Sequence, residues 1–433
     1  MSKAVAPSAI PVQVAERQKI LRFSPNVFFL GLVSFFTDIS SEMTLTVLPL
    51  FLANVLGVAT PIIGLIEGAA DSTATILKIF SGWFSDYLGK RKAIAIWGYG
   101  LSSVAKPLLY FAAAAGWGLV LVVRVADRVG KGVRTAPRDA LVADSTAPKE
   151  LGRSFGFHRA MDTGGAVLGL GIAAIIAYLA ESGGMELTRE TFQALVLASI
   201  IPAFAGVLVI ALFVKEIKPR QAALSAPGAG ATAAKPSPPS LTLRGFDVRF
   251  KVFLIIIVLF TLGNSSDAFL ILRAQNLGLS VVQILIMLVM FNLIYTAISL
   301  PSGILSDRFG RKMVIVLGWV VYALIYLGFG SATGAWEVWT LYVLYGLYYG
   351  SVEGVSRAFV ADVVPSAQRG TAYGVYNAAV GISALPASLI AGFLWQAFNP
   401  GAPFYFGAVL AGLSAILLVV LVQENRQAQT ASA

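Results

Sequence analysis

The segment GWFSDYLGKRK at residues 82–92 has a second copy, GILSDRFGRKM, at residues 303–313. Two further stretches repeat in the same order along the chain. TDISSEM (37–43) matches GNSSDAF (263–269), and ADSTAPKELGRSFG (143–156) matches ADVVPSAQRGTAYG (361–374). Three ordered matches at a nearly constant offset indicate an internal duplication. The chain is therefore expected to fold as two similar halves.

The composition is that of a membrane protein. Hydrophobic residues make up 57% of the chain and charged residues 12%, whereas soluble domains have roughly 25% charged residues. With no Cys and a single His, His158, neither a disulfide framework nor a Cys/His zinc site is expected. No glycine-rich phosphate loop and no set of nucleophile, base and metal ligands is apparent, so we expect no cofactor, no nucleotide and no enzymatic activity.

Long apolar stretches recur along the whole chain. Crossing about 30 Å of hydrocarbon takes roughly 20 helical residues, and the pattern predicts about twelve such spans. The fold class is therefore an all-α membrane protein of two pseudo-symmetric six-helix bundles. The predicted spans are 27–55, 60–85, 92–114, 118–143, 154–180, 192–214, 250–274, 281–306, 312–331, 338–362, 371–396 and 402–422.

The loops between the spans differ in charge. Basic residues concentrate in every second loop, as in GKRK (89–92) and KEIKPR (215–220), and much of the net charge of +10 lies there. By the positive-inside rule these loops and both termini are cytoplasmic, in a multi-pass protein of the plasma (inner) membrane. The predicted parts are a lead (1–26), a first bundle (27–216), a linker rich in Ala, Pro, Ser and Gly (217–249), a second bundle (250–423) and a tail (424–433).

The repeated segment resembles the loop motif of the major facilitator superfamily, which lies between helices two and three and again between helices eight and nine. The resemblance implies transport by alternating access, with a latch between the halves on the cytoplasmic side. In that latch, the Asp caps a helix of the opposite half, and Lys90 and Arg311 pair with Asp144 and Asp362. The residues of this gating motif are Gly82, Asp86, Gly89, Lys90, Arg91, Asp144, Gly303, Asp307, Gly310, Arg311 and Asp362.

The fourth predicted span resembles, in part, a motif of the drug and proton antiporter branch, R-x-x-Q-G-x-G-x-A. Arg128, Gly132 and Ala136 match, but Lys131 stands in place of Gln and Arg134 in place of Gly. The motif of the fifth span is echoed only by glycines, with Leu170 in place of its Pro. The resemblance to this branch therefore comes with departures.

The same span carries its charges on one face. At 100° per residue the charged positions from Arg124 to Arg138 fall within an arc of roughly 120°. Because a charge at the bilayer centre costs about 2.5–3.5 kcal/mol or more, this face must meet a cavity or partner acids. The bland interpretation is that the charges neutralise one another as structural ion pairs. In the functional interpretation, six residues bind the substrate: Arg124, Arg128, Lys131, Asn264, Asp267 and Glu353.

Buried acids are candidates for proton coupling, because a carboxylate next to a cation can exchange a proton as a cavity opens and closes. His158 is interpreted as a packing residue, with a proton relay as the alternative. The candidate acids are Asp38, Glu42, Glu67, Asp71, Asp127 and Asp162.

Three functions remain in competition on these grounds. The first is a proton-coupled secondary transporter of a small anionic or zwitterionic organic solute. The second is a drug/proton antiporter that exports lipophilic compounds, and the third is a non-transporting receptor or scaffold. The expected partners are a small-molecule substrate, protons and membrane lipid, with no nucleic acid, for a monomeric protein.

Overall fold

The computed structural model describes residues 20–147, 150–181, 185–217, 243–365 and 368–422, without the side chains of residues 181, 300, 303, 304 and 307. The predicted tail (424–433), most of the lead and residues 218–242 of the linker lie outside these ranges, so the domain boundaries stay predictions.

Helices make up nearly all of the described residues, and twelve helical spans follow one another along them. The predicted all-α fold is confirmed. The spans, numbered 1 to 12, are Pro25–Thr44 with Leu48–Asn54; Thr60–Leu88; Arg91–Ala105 with a 3-10 turn at Lys106–Phe111 and Ala112–Ala115; Trp117–Asp144; Leu151–Glu181; Arg189–Phe213; Val248–Gly263 with Ala268–Asn276; Val281–Phe309; Arg311–Ser331; Ala335–Val363; Arg369–Ala397; and Ala402–Leu421.

Eight of the described spans are long and apolar enough to cross a membrane, namely spans 1, 5, 6, 7, 8, 9, 11 and 12. The other four are more polar or interrupted: spans 2 and 4 contain the interior charges, span 3 has the 3-10 turn, and span 10 is rich in tyrosine. Large apolar side chains such as Trp97 and Ile201 are exposed on the outer surface. A surface of this kind is stable where lipid, rather than water, surrounds it.

The two halves pack against each other mainly through two pairs of helices, span 2 with span 11 and span 5 with span 8, and the second helices of spans 1 and 7 add a smaller contact. Span 2 approaches span 11 very closely at Gly64, where an added Cβ would collide with the carbonyl oxygen of Ser388. At Gly392 an added Cβ would lie 2.6 Å from the carbonyl oxygen of Thr60, whose hydroxyl donates to the Gly392 carbonyl at 3.0 Å. Such small residues allow helix backbones to touch inside a membrane. This contact closes the side opposite the basic loops.

The two copies of the loop motif start their following helices one residue apart. In the first copy Gly89 (φ +62°) and Lys90 precede a helix that begins at Arg91; in the second, Gly310 (φ +94°) alone precedes a helix that begins at Arg311. Arg91 and Arg311 are thus equivalent first residues of spans 3 and 9. Alignment of the letters instead pairs Lys90 with Arg311.

This offset changes the expected latch. Arg91, and not Lys90, forms the ion pair with Asp144, and it also donates to Asp86 at 2.6 Å. Arg311 contacts Asp362 at 2.5 Å. The expected Lys90–Asp144 contact is therefore replaced by Arg91–Asp144, because the longer first loop moves Lys90 out of the helix. Asp86 is held by Arg91 of its own half, and of Asp307 only the helical backbone is described.

The next basic residue is also placed symmetrically. Lys92 donates to the carbonyl of Ala211 near the end of span 6 at 2.8 Å, and Lys312 donates to that of Val419 near the end of span 12 at 3.1 Å. Each half therefore ties its third helix to its sixth in the same way, which agrees with the duplication seen in the sequence.

Candidate functional site

A cavity of about 300 Å³ lies between the halves and is lined by spans 1, 2, 4, 5, 7 and 8. Spans 1 and 7 are both interrupted beside it, at residues 45–47 and 264–267. Helix breaks expose backbone groups, and they are tolerated at membrane depth where they border a cavity. The charged lining residues of the first half are Asp38, Glu42, Glu67, Asp71, Arg124, Asp127, Arg128, Lys131 and Arg134, and that of the second half is Asp267.

Arg124 and Glu67 form a tight pair at the cavity wall. Their Nη2 and Oε2 atoms are 2.5 Å apart, and both side chains are buried, with relative exposures of 6% and 3%. A buried pair of this kind holds spans 4 and 2 together, because either charge alone would be left without compensation. The structural interpretation therefore fits Arg124 better than it fits the other cations of span 4.

Arg134 is also engaged within the first half. It donates to the hydroxyl of Ser102 at 2.7 Å and lies over the ring of Tyr99 at 4.5 Å. Arg138, one turn further on, contacts Asp139 at 2.8 Å and Ser34 at 3.3 Å. The lower part of the charged face is thus occupied by neighbours from spans 1 and 3.

Arg128 and Lys131 are less tightly held. Arg128 Nε is 3.7 Å from Asp71 Oδ1, too far for a hydrogen bond, and the Asp71 side chain is 44% exposed. Within the described ranges no ion pair involves Lys131 or Asp38, although both line the cavity. These four side chains form an open cluster that has donors and acceptors available to a solute.

The second half contributes a mostly aromatic wall. The Tyr345 hydroxyl donates to Asp267 Oδ1 at 2.8 Å, and Asp267 itself is exposed to the cavity. Phe291 also lines the cavity and stacks on Tyr345, with ring centroids 5.6 Å apart. Tyr345 was not among the residues predicted from the sequence, because a Tyr within an apolar span is interpreted as apolar packing. The informative signal was the density of Tyr between residues 322 and 349.

Lys106 was missed as well. It lies in span 3, buried to 1% exposure, and donates to the hydroxyls of Ser40 and Ser41 at 2.8 and 3.2 Å. A lone Lys inside an apolar segment already indicated a buried cation with a polar partner. It adds a positive charge behind the cavity wall formed by span 1.

Three of the proposed residues lie outside the cavity lining. Glu353 accepts from Tyr295 at 2.8 Å and lies 3.9 Å from Arg159 of span 5, beside a separate cavity of about 350 Å³. Asn264 accepts from Tyr322 at 3.2 Å at the break in span 7. Asp162 lies 3.6 Å from His158 Nδ1. The structure therefore does not place Glu353 next to the other residues that were predicted to bind the substrate.

His158 is packed rather than free. It is 4% exposed, and its Nε2 atom is 2.9 Å from the hydroxyl of Ser34. Together with Asp162 and Arg138, which also contacts Ser34, it forms a polar contact between spans 1, 4 and 5 on the side of the basic loops. This agrees with the interpretation of His158 as a hydrogen-bonded packing residue.

Two six-helix halves around a charged central cavity, with broken helices beside it, are the architecture of a multi-pass membrane transporter. Residues 30–273 and 252–433 each match the Major Facilitator Superfamily. The chain belongs to this superfamily, and it is a transporter rather than an enzyme.

Known proteins that are similar to this chain include other transporters and a resistance protein. An uncharacterized MFS-type transporter of Methanocaldococcus jannaschii is 35% identical over 411 residues, which cover 92% of this chain and 95% of that protein. The class C tetracycline resistance protein of Escherichia coli is 29% identical over 127 residues, 29% of this chain and 32% of that protein. A solved POT family transporter in complex with 5-aminolevulinic acid is similar in fold, with a TM-score of 0.76 at 12% identity over 94% of this chain and 98% of that chain.

Proposed function

We propose that the protein is a proton-coupled secondary transporter that moves a small anionic or zwitterionic organic solute through the cavity between its halves. The observation that carries this proposal is the open pair of Arg128 and Asp71, 3.7 Å apart at the cavity wall, with Lys131 beside it. A cation that is loosely paired keeps hydrogen-bond donors for a solute carboxylate.

The same pair supplies a route to coupling. Asp71 and a solute carboxylate compete for Arg128, so a proton that neutralises Asp71 removes the competitor and favours solute binding. Conversely, a bound carboxylate weakens the attraction of Arg128 for Asp71 and favours its protonation. Such mutual effects on binding are reciprocal by thermodynamic necessity. A lower pH is therefore expected to tighten solute binding through Asp71.

Contacts between the halves support alternating access. On the side opposite the basic loops, span 2 closes on span 11 through Gly64 and Gly392. On the side of the basic loops, Arg159 of span 5 reaches Glu353 and lies over the ring of Tyr295, at 5.0 Å from its centroid. These two sets of contacts cross between the halves at opposite ends of the cavity, where rocking of the halves breaks one set and forms the other.

The orientation belongs to the same proposal. Because Lys and Arg concentrate in the loops that hold the repeated motif, we place those loops and both termini in the cytoplasm and the protein in the plasma (inner) membrane, as a monomer.

A drug/proton antiporter that exports lipophilic compounds is the second candidate. The partial similarity to a tetracycline resistance protein favours it, as does the aromatic wall of the second half, because such surfaces accept apolar ligands. Cells that express the protein would then resist lipophilic compounds, and Arg128→Gln would leave this resistance intact.

Reconstituted protein tests the first proposal. Purified transporter is reconstituted in liposomes with a proton gradient directed inward, that is, with the outside more acidic. A panel of small carboxylates and zwitterions is then screened for transport. For a transported solute, we expect Arg128→Gln to reduce transport about ten- to a hundredfold, since a hydrogen bond to a charged group contributes about 1.5–3 kcal/mol. We expect Asp71→Asn to keep solute binding and to lose its pH dependence.

Lys92→Gln is the matched control, because it also removes one cation but lies at the loop motif, away from the cavity. The proposal is wrong if Arg128→Gln transports as the wild type does, or if Asp71→Asn keeps the full dependence on the pH gradient.

A further inference from the structure

The charges around the central cavity are unevenly divided between the halves. Among the residues that the structure describes, the second half contributes a single charged lining residue, Asp267, whereas the first half contributes acids and cations together. Within the described ranges Asp267 has no ion pair, and the one hydrogen bond of its side chain comes from the Tyr345 hydroxyl to Oδ1. A carboxylate on a wall without cations is therefore presented to the cavity with its Oδ2 atom unoccupied.

Three features fix the position of this carboxylate. Asp267 lies where span 7 is interrupted, directly before the helix that begins at Ala268. Tyr345 is buried and packed between other rings, including Tyr326 at 6.4 Å and Phe291 at 5.6 Å between centroids. Since the hydroxyl of a rigid ring holds Oδ1, Asp267 cannot turn away to reach a distant cation. A positively charged group inside the cavity can therefore contact Oδ2 directly.

We propose that Asp267 binds the ammonium group of a zwitterionic substrate whose carboxylate lies on Arg128 and Lys131. This inference rests on the proposed function and narrows it from anionic or zwitterionic solutes to zwitterions with separated charges. A solute ammonium compensates Asp267, the charged residue that the described part of the second half presents to this cavity, and it can do so at the free Oδ2 atom. Phe291 lines the same cavity and places an aromatic ring, which attracts cations, on this wall.

The geometry also limits the solute. The two charged groups stand on different halves, so a molecule that joins them bridges the halves and favours the state in which both walls are close. A cavity of about 300 Å³ is at the small end of ligand pockets. The substrate class is thus a short, flexible amino carboxylate and not a bulky amphipath.

A series of simple compounds tests the proposal. Unbranched ω-amino carboxylates from glycine to 8-aminooctanoate are compared with alkyl carboxylates and alkylamines of the same lengths, using the midpoint of thermal unfolding of the purified wild type to measure binding. At the chain length that fits, we expect the amino carboxylate to bind at least tenfold more tightly than the carboxylate. Asp267→Asn, which keeps the shape and the hydrogen bond from Tyr345, is expected to abolish this preference.

The variant also has a signature that a damaged fold cannot produce. Because the negative charge of Asp267 repels a simple carboxylate, Asp267→Asn is expected to bind the alkyl carboxylate as well as or better than the wild type. Tyr345→Phe, which removes only the positioning bond, is expected to keep the preference for the amino carboxylate with a few-fold weaker affinity. The unfolding midpoint of each variant without ligand shows whether it is folded.

The outcomes separate this inference from the proposed function. The ammonium site at Asp267 is wrong if Asp267→Asn keeps the tenfold preference or weakens the binding of all compounds equally. It is also wrong if no amine of any length binds the wild type. If amino carboxylates and alkylamines bind the wild type equally, and Arg128→Gln changes neither, the ammonium site stands and the carboxylate site of the proposed function fails.

Discussion

Single residues at the cavity differ in how tightly they are paired. Arg124 and Glu67 are both buried and share a hydrogen bond, whereas Arg128 stands 3.7 Å from a half-exposed Asp71. The two arginines are one turn apart on the same helix and have the same chemistry. Because their environments differ, Arg124 holds two helices together, whereas Arg128 has donors that a solute can use.

The Arg124–Glu67 pair leads to a stability prediction. Arg124→Gln alone leaves the Glu67 carboxylate buried without its partner, and we expect a loss of about 3–5 kcal/mol in the free energy of unfolding. The double variant with Glu67→Gln removes both charges and is expected to recover most of this loss. Denaturant unfolding of the wild type, both single variants and the double variant measures the coupling. Losses that simply add would contradict a direct pair.

How much of the site the sequence could reveal differs between residues. The charged face of span 4 and its acids in spans 1 and 2 were predictable, because charges in an apolar segment must turn inward. Glu353 was predictable as an inward acid but not by position, since its contact with Arg159 depends on how the halves dock. The Tyr345–Asp267 bond was not predictable, because it joins spans 7 and 10 whose relative rotation no local pattern determines.

At the scale of helices and loops, the repeated motif shows that residues aligned by sequence need not be equivalent in structure. The loop glycines and the basic residues were visible in the sequence. What was not visible is that Lys90 belongs to the loop whereas Arg311 belongs to the helix. Element boundaries depend on backbone hydrogen bonds that letters alone leave uncertain by a residue or more.

A pair of substitutions tests this assignment. Arg91→Gln removes the contacts to both Asp86 and Asp144, and we expect it to lower the thermal unfolding midpoint and the transport rate clearly. Lys90→Gln, one residue earlier, is expected to have little effect, within about 0.5 kcal/mol, as usual for a surface position. The unfolding midpoints of the two variants are compared in detergent. An equal or larger effect of Lys90→Gln would mean that Lys90, and not Arg91, is the residue equivalent to Arg311.

For the whole molecule, the two ends of the cavity are closed by different means. The end away from the basic loops relies on backbone contact between spans 2 and 11, which only glycine permits at Gly64. The other end relies on longer side chains, among them Arg159, Tyr295 and Glu353. Backbone contact tolerates no added atoms, whereas side chains adjust by changing rotamer.

Gly64→Ala is therefore expected to bias the transporter. The added methyl group collides with the Ser388 carbonyl and should cost the closed contact about 1–3 kcal/mol, so that states open on this side become more populated. The chain has no Cys, so one engineered cysteine at Leu288, which lines the central cavity and takes no part in the contact between spans 2 and 11, reports on opening through its rate of thiol labelling. We expect faster labelling in Gly64→Ala.

Gly412→Ala is the matched control for this measurement, because an added Cβ there meets no atom within 4 Å. It is expected to label at the wild-type rate. An unchanged rate in Gly64→Ala would mean that the contact between spans 2 and 11 does not limit opening.

A duplicated ancestor provides both halves with the same starting residues, yet in this protein the ionisable side chains around the cavity have collected in one half. The first half is consequently more constrained, because a change at Arg124 or Glu67 leaves a buried charge without its partner. The second half, with Asp267, Phe291 and Asn292 on its wall, is free to vary around one acid without unbalancing any ion pair. New cargo specificities should therefore evolve, and be engineered, most readily on the second half.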